Sequence, residues 1–81
     1  MVILNLIDGD FTPNETMDLI TSLVHAKIKF HENKISAQLG EEDTKHREQR
    51  IKALQRQLYE LRNYVELKKQ SCIIHASVSI A

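Results

Sequence analysis

Apolar positions follow two periods along the chain, strand-like at both ends and helical between. Residues 1–7, Met-Val-Ile-Leu-Asn-Leu-Ile, form a short aliphatic and β-branched run that stops at Asp8-Gly9-Asp10, the pattern of a strand closed by a turn. Val2, Leu4 and Leu6 would share one face. Ile3 and Ile7 flank Asn5 on the other, so this strand expects cover on both sides. The last segment alternates cleanly: Cys72, Ile74, Ala76, Val78 and Ile80 fall on one face, and Ile73, His75, Ser77 and Ser79 on the other. It reads as a half-buried strand over 72–80.

Between the strands lie two helix-length segments. Thr12-Pro13-Asn14-Glu15 is a capping box with proline at the first helical position, where a missing N–H loses no bond. From that start, Met17, Ile20, Val24, Ile28, His31, Ile35 and Leu39 make one continuous stripe, and Leu19, Leu23, Ala26, Phe30 and Ala37 make a second beside it. The spacing predicts a helix over 13–39. Gly40 is expected to end it in the left-handed conformation, with a turn over 40–44 and Asp43 or Thr44 as the next N-cap. The second helix, over 44–70, carries Ile51, Leu54, Leu58, Leu61 and Val65 in 3-4 alternation, broadened by Ala53, Tyr64 and Leu67. Two heptads suit packing against helix one better than a coiled coil of their own. The short link makes the helices antiparallel neighbours.

The fold class that follows is α+β, with order β-α-α-β: an antiparallel helical hairpin packed on a small antiparallel sheet of the two terminal strands, forming one domain over 1–81. Met17, Ile20, Val24, Ile28, Ile51, Leu54, Leu58 and Leu61 are the expected hairpin core. A helix of 27 residues is about 40 Å long, against about 23 Å for a seven-residue strand, so the hairpin should overhang its sheet. An isolated two-stranded sheet is marginal in water, and so is the core of an 81-residue chain. Both weaknesses are repaired by a homo-oligomer, either a dimer or a dimer of dimers, with Ile3, Ile7, Ile35 and Leu39 as interface candidates.

Charge adds one feature. The chain is formally neutral, yet residues 1–43 carry three Lys or Arg against eight Asp or Glu, a balance of −5 that the remainder reverses. Antiparallel helices would let these halves cancel, with Glu15 and Asp18 near Arg62, Lys68 and Lys69. The alternative use of the basic half is nucleic-acid binding by the face of helix two, through Lys45, Arg47, Arg50 and Arg56. Glu48, Glu60 and Glu66 interrupt that stripe, and only Tyr59 and Tyr64 could offer stacking, so the solvated basic face is preferred.

Candidate chemistry is sparse. His25, His31, His46 and His75 include no pair spaced to bind metal from one helix, and His31, on the apolar stripe, is expected to be a hydrogen-bonded core or seam residue. Cys72 cannot close an intramolecular disulfide and reads as a small buried hydrophobe. With Gly9 and Gly40 the only glycines, there is no phosphate loop, dinucleotide fingerprint or nucleophile elbow. The expectation is a non-enzymatic interaction or regulatory module without cofactor, with an unidentified protein partner as a further possibility. The lone thiol, and a first run too short for a membrane span and without a basic leader, suggest a cytoplasmic, unprocessed protein.

The segments Asn5-Leu6-Ile7-Asp8-Gly9-x-Phe11-x-Pro13 and Lys27-Ile28-x-Phe30-His31 resemble a group of small uncharacterised bacterial proteins of similar length. The match covers mainly the first half of the chain. It implies no activity, cofactor or binding residue.

Overall fold

The computed structural model describes residues 1–36 and 40–81. Its elements run β1 (Val2–Phe11), α1 (Pro13–Ser36), α2 (Glu41–Lys68) and β2 (Cys72–Ile80), and β1 pairs antiparallel with β2 in a two-stranded sheet. This is the expected β-α-α-β order and an α+β fold.

The start of α1 is built by the expected reciprocal cap. The Thr12 N–H donates to Glu15 Oε1 at 2.9 Å, and the Glu15 N–H donates to Thr12 Oγ1 at 3.1 Å. Helix α2 ends at Lys69, which takes φ 49° and ψ 32° and donates its N–H to the Val65 carbonyl. The expected final residues of helix one, including Leu39, lie outside the described residues.

Three features differ from the sequence reading for a physical reason each, and α2 also stops at Lys68, two residues before the expected 70, where Lys69 turns left-handed. Strand β1 continues through Asp8-Gly9-Asp10 to Phe11 instead of turning after Ile7. Gly9 takes φ +152°, which residues with a side chain rarely adopt, so the chain stays extended opposite Ile74. Gly40 is not left-handed: at φ −61° and ψ 159° it is the N-cap of α2 and accepts the Thr44 N–H at 3.0 Å. Glu41, Glu42 and Asp43 therefore belong to the first turn of α2, where the positive end of the helix dipole favours carboxylates.

Strand register gives the third difference. Asn5 pairs with Ser77 but Ile7 pairs with Ala76, so Leu6 is an extra, bulged residue. The bulge reverses the side-chain parity of β1. Val2 and Leu4 thus share a face with Ile7, Gly9 and Phe11, opposite Ile80, Val78, Ala76, Ile74 and Cys72 of β2. The other face carries Asp8 opposite His75, joined by a 2.6 Å ion pair between His75 Nδ1 and Asp8 Oδ1 when the imidazole is protonated.

The molecule is a thin plate. Its principal extents are 44 × 34 × 13 Å. Four of the five buried residues sit where helices meet strands: Thr16 in the first turns of α1, Val65 in the last of α2, Cys72 opening β2, and Ile7 on the same sheet face; the fifth, His31, lies between the helices. Helix–sheet contact is sparse, so the hairpin packs on the sheet at this junction and does not lie across it. The eight expected hairpin-core residues are all half-buried, in keeping with the sparse helix–sheet contact among the described residues. The expected carboxylate–cation pairs between the helices do not close to 4 Å among the described residues.

Candidate functional site

The most chemically organised region lies between the C-terminal half of α1 and the N-terminal half of α2. Lys27, Phe30, His31 and Lys34 fall at i, i+3, i+4 and i+7 on α1, which places them on one face. Across the hairpin, α2 supplies Asp43, His46, Arg47 and Arg50. Lys27, Phe30, His31 and these four line a concavity of about 520 Å³.

His31 anchors it. The residue is 4% exposed, and its Nδ1 accepts a hydrogen bond from Arg47 Nη1 at 3.0 Å. A guanidinium can only donate, so Nδ1 carries no proton, and a neutral ring has its hydrogen on Nε2. Its pKa is lowered from 6.5 by desolvation, then by the charges of Lys27, Arg47 and Arg50. The ring also meets Phe30 edge-on, with centroids 5.8 Å apart.

Phe30 gathers cations. Lys27 Nζ, Lys34 Nζ and Arg47 Cζ lie 5.1, 5.6 and 5.7 Å from its centroid, within the range of cation–π attraction. Among the described residues, no carboxylate forms an ion pair with Lys27, Lys34, Arg47 or Arg50. A positive cluster thus faces solvent beside a buried neutral imidazole.

Of the four basic residues read from the sequence as a nucleic-acid face, the structure brings Arg47 and Arg50 together here, while Lys45 and Arg56 do not line the concavity. The interface candidates also separate. Ile3 is exposed opposite Ser79, Ile7 is covered within the chain, Ile35 is half-buried, and Leu39 lies outside the described residues. His31 is the hydrogen-bonded seam residue that the apolar stripe predicts. Lys27, Phe30 and Lys34 form one cluster with it that sequence reasoning missed, and their spacing around His31 is the signal that could have found them.

Cys72 is a free, buried thiol directed to the Gln70 carbonyl at 3.7 Å, as its place on the inner face suggests. Among the described residues, no group of three or more His, Cys, Asp or Glu could hold a metal ion, and no helix is long and apolar enough to cross a membrane. Comparison with known proteins finds no matching family model, no matching curated protein and no matching solved structure.

Proposed function

We propose that this chain works as a self-assembling interaction or regulatory module, not as a catalyst, and that its working unit is a homodimer or a dimer of dimers. The observation that carries this reading is the uncovered seam. Met17, Ile20, Val24, Ile28, Ile51, Leu54, Leu58 and Leu61 lie on the two helices of the hairpin, yet none of them is fully buried in a plate only 13 Å thick.

The dimensions support a second copy. The radius of gyration is 15.2 Å, where a compact chain of this length has about 12 Å. The accessible surface is 6487 Å², against about 5,000 Å² expected for a folded monomer of 9.4 kDa. The excess, about 1,500 Å² per chain, would place a symmetric contact between two copies among large, obligate interfaces. Beyond the junction, Val2, Leu4, Val78 and Ile80 continue the inner face of the sheet with no helix over them. Stacking two plates through an isologous contact would cover this strip or one side of the seam in both copies at once.

Sedimentation equilibrium across micromolar concentrations tests the reading. A dimeric or tetrameric mass, with a melting temperature that rises with protein concentration, is the expected result. A fully helical monomer that melts cooperatively at all these concentrations would defeat it.

A further inference from the structure

We infer that the concavity between α1 and α2 binds a phosphomonoester dianion, held by Lys27, Arg47 and Arg50 beside the Phe30 ring. The site lies within one chain and does not depend on the assembly proposed above.

The lining charges define the ligand. Lys27, Arg47 and Arg50 oppose the single carboxylate Asp43, and Lys34 stands by the same ring. The lining alone sums to about two positive charges and Lys34 beside it adds a third, most of which a phosphomonoester neutralises with its charge of about −1.5 to −2 near neutral pH. Guanidinium groups present paired N–H donors that fit two phosphate oxygens at once, and Lys27 adds a further charged donor.

The cluster is organised before any ligand arrives. Arg47 is held by His31 Nδ1 and by the Phe30 ring, so its side chain has less freedom to lose on binding than a solvated arginine would. As a neutral ring, His31 holds Arg47 without supplying a counter-charge and adds nothing to the repulsion among the cations. Without an anion, these cations repel one another with no ion-pairing carboxylate among the described residues.

Shape favours a small ligand over a polynucleotide. A volume of about 520 Å³ lies in the range of small-molecule sites, about 300–1,000 Å³. A phosphodiester chain needs an extended track, and Lys45, Lys52 and Arg56, the next cations along α2, do not line the concavity. The dianion could be free phosphate or the terminal group of an organic monoester, and these share the same recognition.

The test is NMR titration of the whole, uniformly ¹⁵N-labelled protein at constant ionic strength with four probes: inorganic phosphate, adenosine monophosphate, sodium chloride and a 20-base-pair DNA duplex. Saturable shifts of residues 27–34 and 43–50 with phosphate or the nucleotide, but not with chloride, are expected. Stronger binding of the nucleotide would identify an organic monoester, and equal binding would identify the phosphate group alone. Arg50→Gln and Lys27→Gln, which leave the His31–Arg47 bond in place, should each weaken binding about tenfold. No saturable response to either phosphate probe would overturn the proposal. So would a response matched by chloride, shifts unaffected by both variants, or binding of the duplex alone.

Discussion

Arg47 reaches across the hairpin to donate an Nη1 hydrogen bond to His31 Nδ1, 3.0 Å away and sixteen residues earlier in the chain. This contact ties the two helices together near their turn and requires an unprotonated acceptor. It therefore links the protonation of one buried ring to the stability of the fold. In the unfolded chain His31 titrates near 6.5, whereas in the folded chain desolvation, Lys27, Arg47 and Arg50 lower its pKa. As pH falls through 6.5, the unfolded state takes up a proton that the folded state resists. Stability from this group is thus intact above 6.5 and declines below it, until the folded ring also titrates. Urea denaturation at pH 7.5 and 5.5 should give a lower midpoint at the acidic value, and His31→Gln should reduce that difference. An equal pH dependence in the variant would remove His31 as the cause.

Thr16 is 2% exposed, and its Oγ1 has no hydrogen-bond partner. A buried hydroxyl without a partner loses its water and gains nothing in return. Thr16→Val keeps the branched shape and replaces that hydroxyl by a methyl group. The variant should be more stable by about 1 kcal/mol, read from the urea midpoint. Destabilisation would mean that the hydroxyl is satisfied in solution, by water or by a second copy.

The Thr12–Glu15 box predicts reciprocity. Thr12→Ala should lower stability by about 1 kcal/mol, since it removes the acceptor of the Glu15 N–H and loosens the return bond from Glu15. Adding Glu15→Ala should then have less effect than it has alone, so the double-mutant cycle should be non-additive. Additive losses would show two independent contacts.

At Gly9 the backbone, not space, decides. A Cβ at this position would meet nothing closer than Phe11 Cε2 at 4.0 Å, but φ +152° is strained for any residue carrying one. Gly9→Ala should cost about 1–3 kcal/mol. A neutral result would require the strand to readjust its register without penalty.

What is legible in the sequence is local chemistry. Thr12-Pro13-Asn14-Glu15 marks a helix start within four residues, and the alternation from Cys72 to Ile80 marks a strand without reference to anything else. Gly40 is ambiguous because glycine serves at either end of a helix. The three acids after it favour the N-terminal role, yet they suit an acidic turn equally well. The Leu6 bulge is not legible, since parity in β1 depends on which residue of β2 each one meets. Nor is the α2 part of the cation cluster, because Arg47 reaches Phe30 and His31 only once the hairpin closes. Periodicity identifies the seam between the helices but does not tell how thickly it is covered.

That last question is decided by Leu58. It lies on the α2 side of the seam and is half-buried in the single chain. In an isolated plate, the carboxylate of Leu58→Asp could turn toward solvent, and the loss would be close to that of the leucine's partial apolar contact, about 1 kcal/mol. Under a second copy the same charge would be buried without a partner, a penalty of about 3–5 kcal/mol that either unfolds the subunit or drives the copies apart. The measurement is sedimentation velocity together with thermal melting at two protein concentrations. The variant should have lost the dimeric species and, with it, the concentration dependence of its melting temperature. Leu67→Asp, on an exposed surface of the same helix, should leave both unchanged if that surface stays open in the assembly. If Leu58→Asp instead sediments and melts as the parent chain does, the seam is open to water in solution and the stacked arrangement is excluded.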